Sequence, residues 1–501
     1  MGSVGGTKPH AVCIPCPAQG HINAMLKLAN LLHFKGFHVT FVHTEFNYKR
    51  VANAAAAGSS VIGSIDGFRY EAIPDGLPIT SDLNSNQDLR SLCTSIRNGS
   101  LYGPFRDLLE RLNEPSSGVP PVTCIVSDSL MSFTAGVAKE FEIPDVFFCS
   151  TSAYGFMGFY HYKELVQRGI VPLKSEDDLV NGYLDITVID WMPGMPNMRL
   201  RDLPSFIRTT DPDEVIFNFA LNEAQASHRA TAIIVNSFDD LEGPVLDEMS
   251  STFGAVYPIG PLNLLCSQAF GTVPESARSS LWKEDSACLD WLEGRQANSV
   301  IYVNFGSLAT MTGQQLTEFA WGLANSGHYF LWIIRPDVLV VDESAALPRE
   351  FLAETSGRGF LVSWCPQEDV LGHPSIGGFL THCGWNSTME AISSGVPMIC
   401  WPFFADQQPN CRFLCVEWGM GMEVDVDVKR EKMEEMVREL LAGEKGTEMR
   451  RKASQWKERA IRATEPGGKS FIKFEEVRQG CSFRRERLLL GETLIFPKSR
   501  L

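Results

Sequence analysis

The residues best suited to chemistry lie between Trp364 and Gln407. Within this segment, Ile376–Thr381 has the length and composition of a buried strand, and it leads through a turn into a helix that ends at Gly395. A strand that feeds a helix N-terminus through a glycine-containing turn leaves backbone N–H groups and the positive end of the helix dipole directed at one point. That geometry suits a phosphate.

Side chains near this turn add hydrogen-bonding groups at the same point. His382, Asn386 and Ser387 supply donors, so a diphosphate fits better than a single phosphate. Glu390, one turn into the helix, can accept from vicinal hydroxyls such as those of a ribose. Trp364 offers a flat apolar face for a base. The pattern therefore predicts a site for a nucleoside diphosphate.

This segment resembles the donor-binding box of plant UDP-dependent glycosyltransferases of family 1. The match lies at chemically specific residues with fixed spacing: Trp364, Gln367, His373, His382, Gly384, Trp385, Asn386, Ser387, Glu390, Pro402, Asp406 and Gln407. The resemblance runs from about His10 to about Phe474, and it is closest to enzymes that glucosylate cyanohydrins, iridoid or terpenoid alcohols and cytokinins. It implies an α/β chain with the GT-B fold, two Rossmann-like domains facing a central cleft.

The resemblance also implies UDP-glucose as the donor, because glutamine at the last position of the box, here Gln407, goes with glucose in similar enzymes. Asp406 and Gln407 would hydrogen-bond the sugar hydroxyls. No metal or other cofactor is expected. The residues expected to contact UDP-glucose are Ser150, Ser307, Trp364, Cys365, Gln367, His382, Gly384, Trp385, Asn386, Ser387, Glu390, Phe404, Ala405, Asp406 and Gln407.

His21 is the candidate general base. It follows the first predicted strand at the start of the first helix, on the edge of the sheet where open α/β folds bind their ligands. Asp128 ends another strand at the same edge, where it would hold the imidazole tautomer and stabilise the imidazolium. From spacing alone, Asp128 could equally cap the next helix. In similar enzymes the matching residues act as base and partner.

The reaction then implied is a single displacement that gives a β-glucoside with inversion. The acceptor would be a small lipophilic alcohol, with Phe148, Tyr154, Phe156 and Phe404 as apolar walls of its pocket. An iridoid or terpenoid alcohol, such as the 7-deoxyloganetin type, or a cyanohydrin is expected. A flavonoid or a cytokinin remains an alternative, because an apolar, partly aromatic pocket does not choose among them.

Alternating strand and helix patterns organise both halves of the chain. The strands are predicted at Ala11–Pro15, His38–His43, Thr123–Val126, Asp145–Phe148, Ile233–Asn236, Ser299–Phe305 and Tyr329–Ile334. We predict an acceptor-binding domain over 1–256, a linker over 257–280 and a UDP-sugar-binding domain over 281–460. A helix over 461–479 would pack back toward the first domain, and 480–501 forms an atypical tail, disordered or a segment for a partner or membrane surface.

Composition limits the possible partners and location. A net charge of −16 argues against nucleic acid or an anionic membrane as partner, since both require basic patches. No apolar run approaches the length of a membrane helix, and the N-terminus lacks the pattern of a signal peptide. We expect a cytoplasmic monomer.

The thirteen cysteines are scattered, as is typical of reduced thiols in a cytosolic protein. Cys13 and Cys16 form a C-x-x-C pair, but they are better explained as small residues in a tight turn than as a redox site. Cys411 and Cys415 are predicted to share a helix face, with nothing nearby to complete a metal site.

Two other classes of protein fit the sequence less well. A dinucleotide-dependent oxidoreductase needs a G-x-G-x-x-G turn after the first strand, whereas the turn here reads CPAQGH. A non-catalytic UDP-sugar binder would be expected to lack His21 or Asp128, and both are present. The metal-binding loop of other sugar transferases is matched only by Asp425–Asp427, whose alternation with valines favours an edge strand or connector with solvated carboxylates.

Overall fold

The computed structural model describes residues 8–56, 66–78, 87–271, 282, 284–335 and 347–482. Its strands are β1 (His10–Ile14), β2 (His38–Thr44), β3 (Phe68–Ile73), β4 (Cys124–Asp128), β5 (Asp145–Cys149), β6 (Val188–Ile189), β7 (Met198–Arg199), β8 (Ala232–Val235), β9 (Val256–Pro258), β10 (Val300–Asn304), β11 (Tyr329–Ile333), β12 (Gly359–Val362), β13 (Ile376–Thr381), β14 (Met398–Cys400) and β15 (Gly421–Glu423).

Its helices alternate with the strands. They are α1 (Gln19–Phe34), α2 (Glu45–Ala56), α3 (Leu89–Arg97), α4 (Tyr102–Asn113), α5 (Thr134–Glu140), α6 (Ala153–Tyr160), α7 (Tyr162–Gln167), α8 (Tyr183–Ile186), α9 (Val215–Ala226), α10 (Asp239–Phe253), α11 (Leu262–Phe270), α12 (Ala287–Glu293), α13 (Gly313–Ser326), α14 (Arg349–Glu354), α15 (Gln367–Gly372), α16 (Trp385–Ser394), α17 (Gln407–Arg412), α18 (Arg430–Ala442), α19 (Glu444–Thr464) and α20 (Lys469–Ser482).

The chain divides into two compact units. The first comprises Met1–Leu200, Phe206–Leu281 and Arg462–Leu501, and the second comprises Arg201–Ser205 and Trp282–Ile461. Each contains a parallel sheet flanked by helices. The fold is GT-B, as the resemblance implied, with a Rossmann-like α/β domain in each unit.

The sheet of the first unit has the order β3-β2-β1-β4-β5-β8-β9, and all its strands run parallel. Its central strands are short apolar runs without exposed residues, as expected for a sheet covered by helices on both faces. The order reverses between β1 and β4, which creates a switch point where the following chain segments diverge to opposite faces.

The sheet of the second unit has the order β12-β11-β10-β13-β14-β15, again parallel throughout. Here the order reverses between β10 and β13. The aromatic core on one face of this sheet includes Phe319, Trp332 and Trp401. A capping box begins α13, with Thr312 Oγ1 accepting from the Gln315 N–H at 3.2 Å and Gln315 Oε1 accepting from the Thr312 N–H at 3.0 Å.

The C-terminal helix α20 belongs to the first unit. Lys473 Nζ lies 3.0 Å from a carboxylate oxygen of Asp239, and Lys35 Nζ lies 2.7 Å from Glu475. Of the segment expected to be an atypical tail, residues 480–482 finish α20 and are described, whereas Arg484, Arg485, Arg487 and the rest lie outside the described residues.

The segment expected to be a linker is more structured than its sequence suggested. Residues Val256–Pro258 form the edge strand β9, and Leu262–Phe270 form α11, with Leu262 and Leu265 buried. The helix α11 has only about two turns, and the prolines before it, Pro258 and Pro261, made its helical spacing of apolar residues hard to recognise in the sequence. The structure therefore places most of the described part of this segment inside the first unit.

The Pro- and Met-rich region 182–208, whose composition indicates a surface loop, is also partly structured. It contains α8 and the antiparallel pair β6–β7, and Met192, Met195 and Met198 are buried. Asp425 and Asp427 are exposed in the turn after the edge strand β15, as predicted for solvated carboxylates. Among the described helices, none combines the length and apolar composition required to cross a bilayer.

Candidate active site

The switch point of the first sheet brings together His21 and Asp128. His21 lies in the first turn of α1, just beyond β1, and Asp128 is the last residue of β4. The imidazole Nδ1 is 2.8 Å from Asp128 Oδ2. Because β1 and β4 are parallel neighbours, their ends meet at one edge even though 107 residues separate the two side chains.

The environment of this pair defines the roles of its atoms. Asp128 has no exposed side-chain surface, and its Oδ1 accepts from the backbone N–H of Leu130 at 3.0 Å. The His21 side chain is 22% exposed. A carboxylate accepts hydrogen bonds, so Nδ1 carries the proton and Nε2 is left with the lone pair that can act as a base. The arrangement matches the His–Asp part of a catalytic triad.

Ser150 lies at the same point. It follows β5, and its Oγ is 2.7 Å from Nδ1 of His21. The sequence analysis expected Ser150 to contact the sugar of the donor and gave it no role toward His21. In the structure its hydroxyl touches the imidazole on the nitrogen that also faces Asp128. A contact with the sugar stays a prediction.

Glu242 is a buried carboxylate near this point that the sequence analysis missed. Glu242 lies within α10 but has non-helical backbone angles, and it has no exposed surface. Its two oxygens accept from the backbone N–H groups of Ala153 and Tyr154 at 3.2 and 3.1 Å. These contacts hold the start of α6, directly after Ser150. No local motif marks Glu242, because its partners lie almost ninety residues earlier in the chain.

The switch point of the second sheet holds the predicted diphosphate site. Ser307 follows β10, and His382 follows β13. Gly306, directly before Ser307, has a φ of +75°, and its N–H donates to Asn304 Oδ1 at 2.9 Å. Arg335, also missed from the sequence, is only 3% exposed and donates to the carbonyls of Gly306 and Ala309. The sequence signal for this residue was an arginine two residues after the end of the apolar strand β11.

His382 is half-buried, and its imidazole lies beside two glycines. A Cβ atom on Gly306 or Gly384 would lie 2.5 or 2.4 Å from its Nε2, so neither position accepts a side chain unless the imidazole moves. Burial, with the charge of Arg335, lowers the pKa of His382 from 6.5 to about 4. Among the described residues its Nδ1 has no hydrogen-bond partner. The ring is therefore neutral at pH 7.

The N-terminus of α16 has backbone donors without a side-chain cap. Gly384 is the N-cap, and as a glycine it offers no side-chain acceptor to the first turn. Asn386 and Ser387 lie in this turn, as predicted. The indole of Trp385, in contrast, is 3% exposed and packs near Trp418 with ring centroids 6.2 Å apart. A donor contact of Trp385 would therefore involve its backbone N–H.

Gln367 joins β10 to α16. Its Oε1 accepts from Tyr302 Oη at 3.0 Å and Asn304 Nδ2 at 2.8 Å. Its Nε2 donates to Ser387 Oγ at 2.9 Å and Glu390 Oε2 at 2.8 Å. Both ends of the amide are thus engaged inside the protein, and Gln367 positions two of the predicted ligand-binding side chains.

The aromatic platform predicted for a base lies on the same unit. Trp364 is half-buried, and its ring stacks on that of Trp282 with centroids 6.0 Å apart and an interplanar angle of 27°. Its neighbour Cys365 is 4% exposed, and its Sγ lies 3.3 Å from Tyr302 Oη. The Cys365 side chain therefore packs beneath this platform.

Residues 403–407 form a second loop at this edge. Ala405 has a φ of +59°, and its N–H donates to Ser205 Oγ at 2.9 Å. Gln407 Oε1 accepts from the N–H groups of Phe403 and Phe404 at 2.8 and 3.1 Å. A contact of the Gln407 amide nitrogen with a sugar hydroxyl stays a prediction.

The side chain of Asn410 links Asp406 to residues 382–384 after β13, which we call the diphosphate loop because it carries the predicted diphosphate site. Asn410 Nδ2 donates to Asp406 Oδ2 at 3.1 Å and to the carbonyl of Cys383 at 2.9 Å. Asp406 is 7% exposed and Asn410 1% exposed, so this bridge is internal. The two loops that carry His382 and Gln407 are thereby fixed to each other within the second unit.

Two cysteines that are distant in the sequence lie close to Cys411, although nothing was expected to complete a metal site around Cys411 and Cys415. The Sγ atoms of Cys383, Cys400 and Cys411 lie within 4.8 Å of one another. The chain brings them together from the end of β13, the end of β14 and α17, which the linear spacing did not reveal. All thirteen cysteines, including Cys13 and Cys16, are free thiols.

The residues expected to wall the acceptor pocket are buried in the first unit. Phe148, Tyr154 and Phe156 are 0%, 5% and 3% exposed, and the ring of Phe156 packs against Phe253 with centroids 5.6 Å apart. Phe404 lies in the second unit and is half-buried. Contact of these rings with an acceptor stays a prediction.

Comparison with known proteins identifies relatives over most of the chain. Residues 283–462 match the family model described as "UDP-glucoronosyl and UDP-glucosyl transferase". A 7-deoxyloganetin glucosyltransferase of Catharanthus roseus is 54% identical, with 95% of this chain and 98% of that protein aligned. An (R)-mandelonitrile beta-glucosyltransferase of Prunus dulcis is 52% identical, with 94% of this chain and 96% of that protein aligned.

Solved structures agree with these relatives. Os79 from O. sativa in complex with UDP superposes with a TM-score of 0.77 at 27% identity, covering 94% of this chain and all of that one. UGT2 of Phytolacca americana, complexed with UDP-2-fluoro-glucose and pterostilbene, superposes with a TM-score of 0.75 at 25% identity, covering 95% of this chain and all of that one.

Proposed function

The chain belongs to the family of UDP-dependent glycosyltransferases, and from that premise we propose that it transfers glucose from UDP-glucose to the hydroxyl of a small lipophilic alcohol. The observation that carries the proposed mechanism is the contact of His21 Nδ1 with the buried Asp128 carboxylate. It leaves Nε2 of a neutral imidazole, on a partly exposed ring, as a general base.

In the proposed reaction, His21 Nε2 takes the proton of the acceptor hydroxyl while the acceptor oxygen attacks the anomeric carbon of glucose. The bond from that carbon to the diphosphate oxygen breaks, its electron pair leaves with UDP, and attack from the opposite face gives a β-glucoside. Asp128 stabilises the imidazolium that forms. The proton is then lost to solvent, so the balance closes without another reactant.

We propose that the second unit binds UDP-glucose without a metal ion. The uncapped N-terminus of α16 offers backbone N–H donors and the positive end of a helix dipole to the diphosphate. His382 would add a neutral hydrogen-bond donor, and Ser307 and Asn386 would complete the set. Glu390, held by Gln367, is proposed to accept from the ribose hydroxyls, with the uracil on Trp364.

For the sugar, we propose that Asp406 accepts from glucose hydroxyls and that Gln407 donates to one. Gln407 Oε1 is already engaged by two backbone N–H groups, which turns its Nε2 outward as the available donor. A histidine at this position would lose both the caps on the loop and the donor geometry. Gln407→His should therefore reduce the use of UDP-glucose relative to other UDP-sugars.

The acceptor we propose is an alcohol of the class that the relatives' names describe, either an iridoid aglycone such as 7-deoxyloganetin or a cyanohydrin such as (R)-mandelonitrile. Identity of 54% and 52% over nearly the whole chain supports this choice over a flavonoid or a cytokinin. We also propose a cytosolic location and a monomeric state, since the thirteen free cysteines suit a reducing compartment.

The test is turnover by the purified chain with UDP-glucose, EDTA and each acceptor separately, followed by mass spectrometry for a hexose adduct and NMR for the anomeric configuration. We expect a β-glucoside from one of the two acceptor classes, formed roughly 10²–10⁴-fold more slowly by His21→Ala. UDP-glucose binding without an adduct from any acceptor would contradict the proposed reaction. An EDTA-sensitive reaction would contradict the metal-independent mechanism alone.

A further inference from the structure

Three cysteines converge behind the diphosphate loop of the second unit, and we call Cys383, Cys400 and Cys411 the thiol cluster. Their Sγ atoms lie within 4.8 Å of one another, and the residues are 0%, 0% and 1% exposed. Each comes from a different element, so no single turn or helix imposes the grouping. Rigid packing at the ends of β13 and β14 fixes two of them relative to α17.

The spacing is close to what a coordinated cation requires. Thiolates at about 2.3 Å from a tetrahedral cation lie about 3.8 Å from one another. The observed upper limit of 4.8 Å therefore requires the sulfur atoms to approach by roughly 1 Å or less. Small side-chain rotations achieve this, without a change in the strands that carry the residues.

A fourth thiol adjoins the cluster. Cys415, in the π-helical turn Phe413–Glu417, lies near the thiols of Cys400 and Cys411 and is partly exposed. Its Sγ lies 3.0 Å from the place where a Cβ on Gly421 would be, so the glycine leaves room for the sulfur. Cys415 thus places a fourth thiol beside the cluster.

The donor set selects the class of cation. The nearest oxygen recorded for Cys383 Sγ is the Thr381 carbonyl, at 3.9 Å, which is a weak contact. Soft thiolate ligands favour Zn(II), Cd(II) and Cu(I), whereas Mg(II) and Ca(II) require oxygen ligands. A set of three or four thiols without a carboxylate is therefore suited to a thiophilic d¹⁰ cation.

We propose that the thiol cluster is a binding site for one thiophilic d¹⁰ cation, with Cys415 as fourth ligand where the cation is tetrahedral. Each coordinating sulfur loses its proton, so binding releases protons and strengthens as the pH rises. The site lies within the second unit and takes no part in the transfer chemistry.

Occupation of this site should affect the neighbouring loop. Cys383 lies between His382 and Gly384 with a φ of +63°, and its carbonyl accepts from Asn410. Three or four thiolates around a divalent cation carry a net charge of −1 or −2. This charge directly behind the diphosphate loop opposes an anionic ligand. We expect the Kd for UDP to rise several-fold, a consequence that rests on the proposed function.

The experiment uses the full chain and Cd(II) as the probe. Equilibrium dialysis counts the bound cations, and ultraviolet absorption detects sulfur-to-cadmium charge transfer. We expect one tightly held Cd(II) per chain, with affinity reduced at least tenfold in Cys400→Ser. The matched control is Cys93→Ser, which removes an equally buried thiol from the first unit and should leave Cd(II) binding unchanged.

A second variant, Cys411→Ser, guards against misfolding of Cys400→Ser, because its residue lies on the short helix α17 rather than in the sheet. Cation-free UDP binding serves as the test of folding for each variant. Cd(II) binding that is absent, or that both serine variants at the cluster retain at wild-type strength, overturns the site. Tight Cd(II) binding with unaltered UDP affinity retains the site and overturns its effect on the loop. Failure of cation-free UDP binding in the wild type would instead count against the proposed function.

Discussion

The two sheets reverse their strand order in the same way, yet the reversal points carry different chemistry. Between β1 and β4, the first unit places charged and titratable side chains, His21 against Asp128. Between β10 and β13, the second unit places glycines, backbone N–H groups and a neutral imidazole, His382. The same topology thus suits proton transfer in one unit and anion binding in the other, because the residues after each strand differ.

The largest expected effect concerns the reversal point between β1 and β4 and should leave the one between β10 and β13 unaffected. His21→Ala removes the proposed base, and we expect kcat to fall by roughly 10²–10⁴-fold. UDP binding should stay unchanged, as measured by quenching of tryptophan fluorescence. Nine of the ten tryptophans lie in the second unit, so this signal reports that unit. His33→Ala, at the other end of α1, is the control and should retain activity.

The next effect concerns the orientation of the imidazole. Asp128→Asn keeps the shape of the pair but removes the carboxylate that holds the proton on Nδ1 of His21. We expect kcat to fall by roughly 10²-fold or more, because the wrong tautomer becomes populated. An unchanged kcat would show that Asp128 acts only as a helix cap.

Gly306→Ala perturbs the second point alone. The new Cβ would lie 2.5 Å from His382 Nε2 at a residue with φ of +75°, so the imidazole must move. Loss of one hydrogen bond to a charged group costs about 1.5–3 kcal/mol, which corresponds to roughly 10–100-fold weaker UDP binding. Gly372→Ala, which meets no atom within 4 Å, is the matched control. Equal UDP affinity in both variants would remove His382 from the site.

The neutral imidazole of His382 makes the second unit sensitive to acid. The unfolded chain binds a proton on it below pH 6.5, whereas the folded protein does so only near pH 4, where its pKa lies. The free energy of unfolding therefore decreases as the pH falls from 6.5 toward 4, by about 2 kcal/mol between pH 6.5 and 5. Urea unfolding followed by tryptophan fluorescence should show a shallower pH dependence in His382→Gln. In the control His33→Gln, the dependence should match that of the wild type.

The smallest effect tests the neighbour of the base. Ser150→Ala removes the hydroxyl 2.7 Å from His21 Nδ1, and one hydrogen bond of about 1 kcal/mol corresponds to a roughly fivefold lower kcat. Ser150→Thr should restore the rate, since it keeps the hydroxyl. If Ser150→Ala instead raises the KM for UDP-glucose with kcat unchanged, its hydroxyl serves the sugar rather than the imidazole.

The agreement between sequence and structure depends on how local each signal is. Apolar runs such as Ile376–Thr381 and Val300–Asn304 define buried parallel strands because they are short, continuous and followed by glycine or polar turns. The capping box at Thr312 is equally local. Leu262–Phe270, in the first unit, was not recognised as a helix, because a nine-residue segment preceded by prolines has too few turns to show a period.

Contacts between distant residues required the fold. The amide of Gln367 is saturated by four partners from β10 and α16, and the carboxylate of Glu242 holds the start of α6. The donor-box resemblance marked Gln367 as a ligand contact, whereas the contacts observed here are internal. No spacing rule connects Glu242 to Ala153, since the pairing depends on how two helices pack.

The class of fold, the sheet edges where polar residues gather, and the box that indicates a UDP-sugar donor were all predictable from the amino-acid sequence. They follow from short-range patterns and from chemically specific residues at fixed spacing. The folded chain was needed to show that Ser150 touches His21, that Trp385 packs inward, and that Cys383, Cys400 and Cys411 meet. Parallel strands bring residues far apart in the chain to one edge, and the packing of helices on the sheet, which has no local period, selects which side chains touch.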